Sequence, residues 1–227
     1  MIIDIIIPAL NEANSIGLVI NDIPKNLVRH IIVGDNGSTD ETAKIAQTHG
    51  AIVVPAPTKG YGTACLAAME LIQNLGQPPD IVVFLDGDYS DYPEQLAEVI
   101  QPIVSEDVDL VIGSRALGQR QDGSMTLPQK FGNWLATHLI WWIYGVRFTD
   151  LGPFRAIKWA ALRKLNMKDP DFGWTAEMQV KAARQKLKIA EVPVNYRRRI
   201  GQSKVSGTIK GSLMAGYKIL WVVFRGR

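Results

Sequence analysis

Val82-Val83-Phe84-Leu85-Asp86-Gly87-Asp88 decides how this chain is read. The apolar residues fit a buried strand, and two carboxylates follow with one glycine between them. In an open α/β sheet, ligands bind beyond the carboxyl ends of the strands. An acid pair placed there, with a glycine letting the backbone come close, suits a divalent metal held against a phosphate-bearing substrate. Alone, the pattern fits a polar turn equally well, with Asp91 capping a helix that starts near Pro93.

The preceding chain favours the first reading. Residues 2–7 are a β-branched run ended by Pro8, and residues 31–34, 51–54 and 80–85 read as further strands. Between them, helices are expected over 15–22, from the capping-box pair Ser38 and Glu41 to Gly50, and over 63–75. A helix over 93–104 and a strand over 109–113 complete five strands alternating with helices, which requires parallel βαβ units. The strand ends then bring Asn11-Glu12, Asp35, Lys59, Asp86-Gly87-Asp88 and Ser114-Arg115 to one rim. Neither the glycine-rich dinucleotide signature nor the P-loop occurs, so a nucleotide here would be held by side chains and metal.

Beyond Arg115 the pattern changes. Residues 116–130 read as a polar loop, and 131–146 as an apolar, aromatic stretch too short for a membrane span. A helix is expected from about Lys158, another over 174–186 containing Glu177, and a strand over 189–198 bent at Pro193. The stretch 208–224 reads as a C-terminal helix.

Composition sets outer limits. Of 227 residues, 47% are hydrophobic and 21% charged, as in a globular chain and unlike a disordered one. The single Cys65 excludes a disulfide framework and a cysteine-rich metal site, and fits a reducing compartment. The N-terminus has no basic n-region, so no signal peptide is expected. The net charge of +3 hides an asymmetry: no Asp or Glu follows Glu191, while eight Lys/Arg do. A basic tail on an acidic body suggests a polyanionic partner. Without a recognisable nucleic-acid module, phosphate-bearing substrates fit better than nucleic acid.

Seven stretches in order now resemble the family 2 glycosyltransferases of the GT-A fold, and most of all their dolichyl-phosphate mannose synthase-like members. They are Pro8-Ala-Leu-Asn-Glu12, Asp35-Asn-Gly-Ser-Thr-Asp40, Lys59-Gly-Tyr-Gly62, Asp86-Gly-Asp88, Gly113-Ser-Arg115, Asp150-Leu-Gly-Pro-Phe-Arg155 and Arg199-Ile-Gly-Gln-Ser-Lys204. Asn36 stands where the family pattern has a second Asp, and Tyr89 where many relatives carry a polar residue. The resemblance implies an α/β fold with a mostly parallel central sheet flanked by helices. Residues 1–206 would form the transferase domain, with 1–115 as its nucleotide-binding half and 116–206 as its acceptor half. Residues 207–227 would add an amphipathic or apolar helix.

It also implies roles. Pro8, Leu10, Glu12, Asp35, Lys59, Asp86 and Gly87 would bind the nucleotide of a GDP- or UDP-sugar. Asp88, with Asp86, would hold Mg²⁺ or Mn²⁺. Arg115, Arg199, Ser203 and Lys204 would bind the acceptor and the diphosphate, with Arg suited to bidentate phosphate contacts. Asp150, Arg155 and Glu177 join Asp88 as catalytic candidates. Arg155 is either an acceptor contact or a buried ion-pair partner of Asp150. Glu177 is a base, an orienting group or a plain helix acid.

The expected activity is inverting, metal-dependent transfer of a hexose to a polyprenyl phosphate at the cytoplasmic membrane face, with a peripheral membrane contact. A phosphate acceptor is already anionic at neutral pH and needs little base catalysis. The alternatives are transfer to a soluble hydroxyl, which makes one carboxylate indispensable, a non-catalytic nucleotide-sugar-binding protein, and a nucleotidyltransferase. Aromatic residues interleaved with Lys/Arg in the C-terminal helix fit an interfacial helix or one packed on the core.

Overall fold

Buried at every position, Ile3–Ala9 (β1) runs through the middle of a seven-stranded sheet in a computed structural model that describes residues 1–201 and 209–225. Then come α1 (Ile16–Asp22), β2 (His30–Asp35), α2 (Thr42–Thr48), β3 (Ile52–Pro55), α3 (Tyr61–Asn74) and β4 (Ile81–Phe84). A 3₁₀ turn, Pro93–Gln95, leads into α4 (Leu96–Ser105). The rest is β5 (Leu110–Ser114), α5 (Leu127–Tyr144), β6 (Arg155–Lys158), α6 (Trp159–Leu165), α7 (Trp174–Arg184), β7 (Ile189–Pro193) and α8 (Ile209–Arg225).

The sheet order is β3-β2-β1-β4-β6-β5-β7, and only β6 runs against the others. Alternation along the strands builds two cores. Ile5, Ile7, Val33 and Val83 face α1, α2 and α4. Ile6, Ile32, Val82 and Phe84 face α3 and α5 to α7 on the other side. α8 packs on α5 and α7, where Tyr144 Oη donates to the Val223 carbonyl at 2.6 Å.

Several local expectations are corrected. Pro8 does not end the first strand. It pairs in register with Gly34, and its ring nitrogen faces the β4 side, where that strand has already stopped at Phe84. No ladder bond is therefore lost. Ser38 does not cap α2. Its hydroxyl accepts from Asn11 N at 3.0 Å, and Asp40 instead takes the Thr42 N–H and hydroxyl. The loop after Arg115 is shorter than expected, because Thr126 and Gln129 form a capping box that starts α5. The chain before Lys158 forms β6, inserted between β4 and β5. The last strand stops at Pro193. No helix among the described residues is long and apolar enough to cross a membrane.

Candidate active site

The carboxyl ends of β1, β2 and β4 form the walls of a cleft of about 340 Å³. Pro8, Leu10, Glu12, Lys59, Asp86, Gly87 and Asp88 all line it. Asp35 does not. Its carboxylate accepts the Ser38 N–H at 3.2 Å, and its neighbour Asn36 lines the cleft in its place.

The acid pair is tightly organised. Asp88 Oδ1 accepts from Ser90 N at 2.9 Å and Ser90 Oγ at 2.6 Å, which leaves Oδ2 for Arg199 Nη1 at 3.2 Å. Asp86 Oδ1 accepts the Tyr61 hydroxyl at 3.0 Å. Burial, and then the neighbouring Asp88 carboxylate, push the Asp86 carboxyl up to about 7. Tyr89, the next residue, sits at φ 63°, a left-handed conformation unusual for an aromatic side chain. Asp91 caps nothing. It is buried, its Oδ2 takes the Asp86 N–H, and its Oδ1 has no hydrogen-bond partner. Burial, with Asp86 and Asp88 adding to it, raises its carboxyl well above the usual range.

Consecutive arginines meet three different fates. Arg197 lies over the Tyr89 and Tyr92 rings at 3.4 and 4.2 Å and donates to the Tyr89 and Asp91 carbonyls. Arg198 donates to the Asp122 carbonyl at 2.6 Å. Only Arg199 enters the cleft, reaching Glu12 at 3.0 Å as well as Asp88. The Ile200 N–H donates to the Asp88 carbonyl at 2.9 Å, so this segment is pinned across the acid pair. Ser203 and Lys204 lie outside the described residues.

The Lys59-Gly60-Tyr61-Gly62 turn owes its glycines to a close crossing. The segment Asp169-Pro170 passes over the start of α3, where Thr63 N and Oγ1 both donate to the Pro170 carbonyl. A Cβ on Gly60 would lie 2.1 Å from the Pro170 oxygen, and one on Gly62 would lie 1.9 Å from the Asp169 oxygen. The crossing delivers Asp171 and Phe172 to the cleft. Neither residue carried a motif in the sequence; only the flanking Pro170 and Gly173 mark a turn there.

A second groove of about 330 Å³ adjoins the cleft and shares Tyr61, Asp86, Asp88, Phe172 and Arg199 with it. Its walls come from α5 (Pro128, Gly132), the chain before β6 (Leu151, Pro153) and α8 (Ile219). Arg115 lines it, lies 4.9 Å over the Tyr196 ring, and is held by Asp150 through two side-chain bonds of 2.7 Å. Burial favours a neutral Asp150, but the Arg115 guanidinium holds its carboxyl below the usual range.

Arg155 and Glu177 line neither space. Arg155 is fully buried and makes no bond to Asp150. It donates to the carbonyls of Leu151, Gly152 and Thr175, and burial brings its guanidinium down to about 10. It thereby braces the wall of the groove from behind. Glu177 accepts the Lys168 and Asp169 N–H groups and pairs with Lys181 at 2.7 Å.

Residues 4–165 match the family model Glycosyl transferase family 2. An uncharacterized glycosyltransferase of Mycobacterium tuberculosis is 33% identical over 225 residues, covering 94% of each chain. The UDP-N-acetylglucosamine–dolichyl-phosphate N-acetylglucosaminyltransferase of Methanococcus voltae is 29% identical over 243 residues, covering 97% of this chain and 94% of its own. Among solved structures, glucosyl-3-phosphoglycerate synthase of Mycobacterium tuberculosis, in complex with Mn²⁺, UDP and phosphoglyceric acid, superimposes with a TM-score of 0.76 at 23% identity. That match covers 99% of this chain and 78% of the synthase.

Proposed function

This chain belongs to glycosyl transferase family 2 and has the GT-A fold, and from that premise we propose that it moves a hexose from a UDP- or GDP-sugar to a polyprenyl phosphate of the dolichyl type, with inversion. The observation that carries this reading is the groove. It shares the acid pair and Arg199 with the nucleotide cleft and continues between apolar walls on α5 and α8. A phosphate headgroup meets Arg115 and Arg199 at the junction, and the prenyl chain follows the apolar walls.

The positions of the candidate bases support an acceptor that needs none. Asp150 is engaged by Arg115, and Glu177 is turned to backbone N–H groups away from the groove. A hydroxyl acceptor must lose a proton, whereas a phosphate attacks as the anion it already is.

The acid pair fits Mg²⁺ or Mn²⁺. Among the described residues no group of three His, Cys, Asp or Glu could hold a metal alone. Two carboxylates completed by water and substrate phosphates is the arrangement these ions favour. Burial first, and then the adjacent Asp88 carboxylate, raise the Asp86 carboxyl to about 7, and a divalent cation there would favour its ionised form. When bound, the ion supplies Lewis-acid stabilisation of the leaving diphosphate. Asp86 and Asp88 hold it, Glu12 and Lys59 hold the nucleotide, and Arg199 exchanges Asp88 for a substrate phosphate. Asp171 and Phe172 close the side of the cleft toward the groove.

The work is done at the cytoplasmic membrane face. Exposed Trp134 and Trp142 on α5 and Tyr217 and Phe224 on α8 fit an interfacial contact, and the lone Cys65 fits a reducing compartment.

Filling the groove tests the reading. A Cβ on Gly132 meets nothing within 4 Å, so Gly132→Phe projects into the groove without disturbing the helix. KM for polyprenyl phosphate should rise about tenfold or more while nucleotide affinity stays constant. Unchanged lipid turnover removes the groove from the acceptor path.

A further inference from the structure

A third hollow, of about 410 Å³, lies between α7 and α8, behind the segment that carries Asp171 and Phe172 into the cleft. The proposed reaction does not use it. Two acids line it, and each is already satisfied. Asp169 accepts from Asp171 N and Gly173 N and pairs with Lys218 at 3.1 Å. Glu177 accepts from Lys168 N and Asp169 N and pairs with Lys181.

Three cations remain at the same hollow. The two lining acids pair with Lys181 and Lys218, and neither the Lys168 ammonium nor the Arg184 guanidinium has a carboxylate partner among the described residues. Arg225 lies over the Trp221 ring at 5.4 Å and has no carboxylate there either. Lys25, Arg147 and Arg198 also have no carboxylate partner among the described residues; what marks this hollow is that three such cations line it together.

We propose that this hollow is a second anion site, distinct from the catalytic cleft, that takes a phosphate monoester or diester. Arg184 offers the planar fork that suits two phosphate oxygens, and Lys168 offers a point charge. Trp221 and Val222 give the apolar flank that a glycerol or acyl group needs. Tyr217, stacked near Trp221, continues that flank onto the exposed face of α8. The ligand is either a free phosphate ester or the headgroup of an anionic lipid. The site does not depend on the identity of the sugar acceptor.

The experiment uses the full chain and two probes. One is glycerol 3-phosphate, followed by calorimetry. The other is vesicles of phosphatidylcholine with phosphatidylglycerol, set against phosphatidylcholine alone and followed by co-sedimentation. Wild type is compared with Lys168→Gln/Arg184→Gln and with the single Arg225→Gln. Lys25→Gln/Lys44→Gln serves as a control with the same loss of charge on the far side of the sheet. The first two should lose binding to at least one probe by about tenfold or more, and the control should not. Loss confined to vesicles identifies a lipid headgroup; loss for glycerol 3-phosphate identifies a soluble ester. Turnover on a detergent-solubilised acceptor should be unchanged, because neither Lys168 nor Arg184 lines the cleft or the groove. Equal binding by all four proteins, binding of neither probe by wild type, or equal loss in the control overturns the proposal.

Discussion

Arg199 Nη1 stands 3.2 Å from Asp88 Oδ2, so a cation from the tail neutralises the acid proposed to hold the metal. On the proposed reading one arginine has two tasks: it balances Asp88 before substrate arrives and would meet substrate phosphate afterwards. Arg199→Ala should lower kcat/KM by ~1–3 kcal/mol, the scale of a charged hydrogen bond. It should also tighten Mn²⁺ binding in the absence of nucleotide, since a competing positive charge is removed. Calorimetry of the ion alone checks this; weaker or unchanged Mn²⁺ affinity counts against the exchange.

Asp88→Asn separates charge from structure. The amide oxygen can still accept from Ser90, so the turn should survive. Turnover should fall by about 10²–10³, the scale of one lost electrostatic contact to the transition state. Circular dichroism and a melting curve close to wild type, combined with that loss, support the metal role. Near-normal turnover, or turnover in excess chelator, removes it.

The crossing over α3 gives a structural prediction. Gly62→Ala places a methyl where the Asp169 carbonyl now lies, and backbone must shift to admit it. Destabilisation of ~1–3 kcal/mol is expected. KM for the donor should rise more than KM for the acceptor, because Asp171, which lines only the cleft, rides on the displaced segment with Phe172, which both spaces share. Equal effects on both KM values would mean general loosening instead.

Asp107 provides a pH test of the fold. Lys158 and Lys188 both bond its exposed carboxylate and bring it down to about 2. A carboxyl held below its unfolded value stabilises the fold above the unfolded pKa, near 3.9, and that contribution fades as pH falls toward about 2. Asp107→Asn should therefore melt below wild type at neutral pH, and the gap should close near pH 2. A gap that persists in acid would assign it to the amide and not to the charge.

Much of this was legible in the chain. The parallel strands announce themselves as β-branched runs, and their polar ends assemble the cleft. β6 was not legible: Arg155-Ala-Ile-Lys is too short to show a period, and its first residue is an arginine that the fold buries. Charge pattern alone gave three equivalent cations at Arg197, Arg198 and Arg199, and only the resemblance singled out Arg199. The fates of Arg197 and Arg198 were hidden, because neighbouring positions in an extended segment point to different surroundings, and the pairing of the tail with the turn after Asp88 separates them. Asp91 read as a helix cap because spacing before Pro93 is all that sequence offers, whereas tertiary contact turns it into the acid pair. Asp35 shows the reverse case, a motif residue whose side chain the fold engages locally.

The most direct test of the central claim is transfer itself. Purified protein with Mn²⁺ is given a panel of UDP- and GDP-sugars, each with polyprenyl phosphate, with 3-phosphoglycerate, or with no acceptor. One donor class should give a polyprenyl-phosphate-linked hexose, lost with chelator and absent with the soluble acceptor. Efficient transfer to 3-phosphoglycerate with none to the lipid would contradict that claim and assign the groove to a soluble substrate.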